Sequence, residues 1–117
     1  MANPTDQRRH VRMRPTCELP AQAVMRGDGL IHEAVTILDV SIGGIAVLTL
    51  GKLRSAKAGD AFRLRLSLAT FGDYLVEVEV RWKTQAVTGV EFKQLSAGAA
   101  EAVRRYVEEL FERGASG

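Results

Sequence analysis

A chain of 117 residues, 46% apolar and 26% charged, supports one domain around one core, because two cores would each be too small to bury enough apolar surface. No apolar run approaches the ~20 residues that span a bilayer, so membrane insertion is not expected. Net charge is only +2, but Arg8, Arg9, Arg12 and Arg14 against Asp6 place +3 in residues 1–14 and leave −1 for the rest, which suits a small anion or an acidic patch better than a nucleic acid polymer.

Residues 1–15 are polar and basic, interrupted by Pro4 and Pro15, and carry too few apolar side chains to offset the entropy of ordering them. They are expected to form a flexible arm, with the folded domain over residues 16–113. The opening Met-Ala-Asn-Pro-Thr-Asp-Gln lacks the apolar stretch of a signal peptide, and Cys17, the single cysteine, can form no internal disulfide. Cytoplasmic residence is the corresponding expectation.

From Cys17 to about Met25 a weak strand contains Pro20, and Arg26-Gly27-Asp28-Gly29 supplies a turn. Leu30 to Val40 reads as the next strand, its alternation sending Leu38, Val40 and Ile42 to one face and Asp39 and Ser41 to the other. Gly43-Gly44 breaks the run, Ile45 to Leu48 resumes it, and a long basic loop with Gly51 and Gly59 follows. Phe62 to Leu68 and Tyr74 to Trp82 alternate strictly and pair antiparallel through the turn around Phe71-Gly72-Asp73, with Arg and Glu residues placed to meet across the strands. By the same parity Trp82 joins the core face of Val76, Val78 and Val80, or the barrel mouth. A last strand spans Val87 to Phe92 and contains Gly-Val-Glu-Phe.

Ser96 caps a helix whose Ala99, Ala102, Val103, Tyr106, Val107 and Leu110 form one apolar stripe, with Glu101/Arg105 and Arg104/Glu108 at four-residue spacing and Gly114 as its stop. About six short strands and one terminal helix give a mainly β fold, an antiparallel barrel with the helix packed on it, since closure removes exposed edges.

Two segments carry chemistry. Extended chain from Arg8 to Arg12 covers ~13 Å, so its guanidinium groups reach separate phosphates or bases. Asp39 and Ser41, two apart on a strand, present a carboxylate that accepts from guanine N1–H and N2–H beside a hydroxyl, and Gly44 permits close backbone approach or positive φ. Each alone has a plainer reading, a solvated basic tail and a β-turn respectively.

Together, Arg-Arg-x-x-Arg followed by Asp-x-Ser-x-x-Gly on a small β-rich chain resembles the PilZ family of bacterial cyclic di-GMP receptors. The resemblance extends over about residues 6–112. It implies a six-stranded antiparallel barrel with a C-terminal helix, binding of cyclic di-GMP as ligand without a cofactor, and outputs such as motility or biofilm control through a downstream protein partner. Carried across, Arg8, Arg9 and Arg12 bind phosphates and the guanine Hoogsteen edge, Asp39 and Ser41 contact guanine, and Gly44 keeps the turn. The resemblance also makes Trp82 a candidate to stack on a base, and His10 in the arginine segment could add a donor. An enzyme is not expected, for one cysteine and two histidines give no metal-ligand spacing and Ser41 lacks a nucleophile-elbow setting. The rival readings are a PilZ-like protein interaction module that ignores nucleotide, and a barrel for RNA or single-stranded DNA, which would want a basic groove lined with aromatics.

Overall fold

The computed structural model describes residues 11–26 and 32–114. Among them are seven strands: β1 (Ala21–Arg26), β2 (His32–Val35), β3 (Ile37–Ser41), β4 (Gly44–Leu48), β5 (Ala61–Leu68), β6 (Asp73–Lys83) and β7 (Val87–Gln94), followed by helix α1 (Ala97–Glu112). Every pairing is antiparallel, in the order β2-β1-β5-β6-β7-β4-β3. The count exceeds the expected six because the single strand read over Leu30–Val40 is broken at Thr36. Its halves, β2 and β3, lie at opposite ends of the sheet order yet are one residue apart in the chain, so the sheet must roll into a nearly closed barrel.

The expected core face is present. Leu64, Leu66 and Leu68 of β5 and Val76, Val78 and Val80 of β6 are buried with Val40, Ile45 and Val47. All six stripe residues of α1 are buried as well, against the 3-10 turn Ala69–Phe71, β3 and β5. Ser96 Oγ accepts from the Ala99 amide at 3.1 Å, and Gly114 ends the helix in the left-handed region at φ 76°. Tyr106 is fully buried, its ring edge-on to Phe71 and its hydroxyl donating to the Leu19 carbonyl at 2.6 Å, and burial pushes the phenol pKa up.

Four expectations are corrected. A bulge between Ile37 and Asp39 adds one residue to β3, so Ile37 packs on the core and Leu38 turns outward. A second bulge, between Val80 and Trp82, turns Trp82 out to 40% exposure, away from the core or mouth position its parity implied. On α1, Arg104 pairs with both Glu101 and Glu108, while Arg105 leaves Glu101 and lies 5.8 Å from the Phe71 ring centroid. The barrel's packing begins upstream of the boundary at residue 16: Met13 is 2% exposed and exchanges two backbone hydrogen bonds with Val40, at 2.9 and 2.8 Å. Val11 and Met13, spaced as on a strand, supply the apolar contact that the composition of residues 1–15 as a whole conceals.

Candidate ligand-binding site

Cross-strand register builds a flat floor on the barrel's outer face. Trp82 stands opposite Gly89, Gly89 opposite Ala46, and Ala46 opposite Asp39, a row running across β6, β7, β4 and β3. The two small central residues leave room for the indole to lie down. A Cβ built on Gly89 would fall 2.2 Å from Trp82 Cε2, so only glycine accommodates the ring in this position.

Arg12 closes the other end of the row. Its Nη1 donates to Asp39 Oδ1 at 3.1 Å, and its guanidinium carbon lies 5.9 Å from the Trp82 ring centroid. The bridge between Met13 and Val40 fixes this arrangement, because it anchors the residue after Arg12 to the residue after Asp39. The segments that converge here are thus the two singled out in the sequence.

At the β3–β4 turn, Ser41 Oγ donates to the Gly44 carbonyl at 3.1 Å. Ser41 is 8% exposed, so its hydroxyl first fixes the turn and offers only its lone pairs to a ligand, not the freely outward group expected. Gly44 has the close backbone approach that was one of its two expected roles: a Cβ there would sit 2.1 Å from the Val90 carbonyl oxygen. Its φ is not positive.

Two grooves share Arg12 and Trp82 as their common ridge. The first, about 650 Å³, is lined by Ser41, Gly44, Arg81, Glu91 and Lys93 among others. The second, about 700 Å³, holds Arg14, Leu38 and Asp39. Both volumes fall within the usual range for small-molecule sites. Arg8, Arg9 and His10 lie outside the described residues. Reading the sequence missed Gly89, Ala46, Arg81, Glu91 and Lys93 as site residues; their shared signal is outward parity on β4, β6 and β7, which alternation gave for Arg81 and which the bulge hid only for Trp82. Among the described residues no three His, Cys, Asp or Glu side chains cluster as metal ligands, and no helix is long and apolar enough to cross a membrane.

The fold is shared with solved structures at low identity. The K. pneumonia MrkH–c-di-GMP complex superposes with a TM-score of 0.74 at 18% identity, covering 92% of this chain and 54% of that one. The PilZ domain of YcgR from Escherichia coli with c-di-GMP gives 0.67 at 15%, covering 92% and 95%. The Bacillus subtilis inhibitor of motility MotI/DgrA gives 0.67 at 20%, covering 88% and 50%. The chain spans about half the length of the MrkH chains it matches. No curated protein matches it in sequence. The PilZ domain model, however, matches residues 6–109, nearly the whole chain and both motif segments, and this chain therefore belongs to the PilZ domain family.

Proposed function

We propose that this chain is a cyclic di-GMP receptor, a binding module and not a catalyst, that acts in the cytoplasm on a downstream protein partner. The observation that carries this reading is the meeting of Arg12, Asp39 and Trp82 on one floor beside the Ser41–Gly44 turn. Those groups suit a guanine nucleotide. Asp39 accepts from the guanine N1–H and N2–H edge, Arg12 offers its fork to O6/N7 or to phosphate, and the indole provides a stacking face worth ~1–3 kcal/mol. The MrkH and YcgR structures, which share the fold, are complexes with c-di-GMP, and this supports the same ligand class here.

In this reading Arg8, Arg9 and, as a further donor, His10 reach the ligand from the chain segment before Val11. Arg12 and Met13 already hold that segment's root on the barrel, so ligand-driven repositioning is confined to residues upstream of them. The repositioned segment forms the surface that a partner reads. Calorimetric titration with cyclic di-GMP, against GTP and cyclic di-AMP, tests the proposal and gives stoichiometry. Saturable heat with cyclic di-GMP alone is expected. The absence of heat would leave the reading without support and favour a nucleotide-independent interaction module.

A further inference from the structure

We propose that Arg81 and Lys93 form a second phosphate-binding wall, on β6 and β7, that no motif of the chain announces. The inference rests on the cyclic di-GMP reading of the same groove. Glu79 and Glu91 face each other directly across β6 and β7, an arrangement that like charges alone would disfavour. Arg81 and Lys93 offset it: Arg81 lies 3.5 Å from both carboxylates, and Lys93 lies 3.9 Å from Glu79 and 3.7 Å from Glu91.

Every one of these separations exceeds the ~2.7–2.9 Å of a charge-assisted hydrogen bond. The ion pairs on α1 and its neighbour Glu18 are tighter, at 2.8 Å for Arg104–Glu108 and 2.9 Å for Arg113–Glu18. The wall's cations are therefore held by charge while their N–H donors are not saturated by close acceptors. Both are about half exposed and line the groove that also contains Arg12, while of the two carboxylates only Glu91 lines it. An entering phosphodiester can take over these donors, with Glu79 and Glu91 serving as counter-ions until it arrives. Phosphate is thereby gripped from two sides, by Arg12 and by the β6–β7 wall.

The test is titration of the full chain with cyclic di-GMP at about 0.05 and about 0.3 M salt, with thermal melts to verify folding. Arg81→Gln/Lys93→Gln should bind about tenfold more weakly with a shallower salt dependence, the scale of two half-exposed charge contacts. Arg63→Gln/Arg65→Gln removes the same charge from the outer face of β5, away from the groove, and should change affinity less than about twofold. Glu91→Gln should tighten binding. Wild-type affinity in the wall variant, an equal loss in the β5 variant, or weaker binding in Glu91→Gln would each overturn the wall while leaving the receptor reading standing. A wild-type chain that takes up no cyclic di-GMP would overturn both.

Discussion

Arg12 joins a carboxylate to an aromatic face, and the magnitudes separate its contribution to folding from its contribution to binding. An ion pair with Arg12 48% and Asp39 23% exposed is worth ~0–1 kcal/mol, and an exposed cation–π contact ~0.5–1 kcal/mol. Asp39→Ala should accordingly change unfolding free energy by less than about 1 kcal/mol, and Arg12→Ala, which removes both contacts, by less than about 2 kcal/mol. Each should nevertheless weaken cyclic di-GMP binding by about 1–3 kcal/mol, since each removes a charged partner of the ligand. Denaturant unfolding alongside calorimetry separates the two effects, and unchanged affinity in either variant would reject the role given to that residue. The two adjacent glycines differ just as clearly. A Cβ on Gly43 meets nothing within 4 Å, whereas one on Gly44 strikes the Val90 backbone. Gly43→Ala should be neutral within about 0.5 kcal/mol, and Gly44→Ala should cost about 1–3 kcal/mol and disturb the β4–β7 ladder, as amide exchange at Val90 and Glu91 would report.

The strands and the helix were legible where a simple period holds. Leu64, Leu66 and Leu68, Val76, Val78 and Val80, and the six-residue stripe of α1 all face inward as their spacing demands. Legibility failed at the bulges, because one inserted residue reverses the parity of everything beyond it and composition does not mark where insertion occurs. Trp82 and Leu38 were misplaced for that reason, and Gly89 went unassigned because its purpose exists only once Trp82 is outside. Gly89→Ala should therefore displace the indole without unfolding the barrel. Trp82 is the only tryptophan, so a shifted emission spectrum and a severalfold loss of cyclic di-GMP affinity would together verify the effect. An unaltered spectrum would show that the floor does not set the ring's position.

At the scale of the whole molecule, the single-residue link at Thr36 rolls the sheet, α1 packs on it, and the Met13 bridge holds Arg12 beside β3. The site thus lies on the outer face of the nearly closed barrel, and both motifs were legible while their mutual contact was not, since it depends on that bridge. Tyr106 ties α1 to the segment before β1 through Leu19. Tyr106→Phe removes the shorter of that carbonyl's two hydrogen bonds, leaving the Thr16 amide at 3.3 Å, and should cost about 0.5–1.5 kcal/mol. Because burial raises the folded-state phenol pKa, the stability Tyr106 confers is complete below the unfolded value near 10 and is lost as pH rises above it. The gap between wild type and Tyr106→Phe in chemical denaturation should narrow above that pH and hold constant below it. The central claim, that the outer floor from Trp82 to Asp39 receives the nucleotide, is tested most directly by an amide and indole NMR titration with cyclic di-GMP. The account predicts that the largest shifts gather at Arg12, Asp39, Ser41, Gly44, Gly89 and the Trp82 indole N–H. Shifts concentrated instead on α1 or the outer face of β5, or no shifts at all, would contradict it.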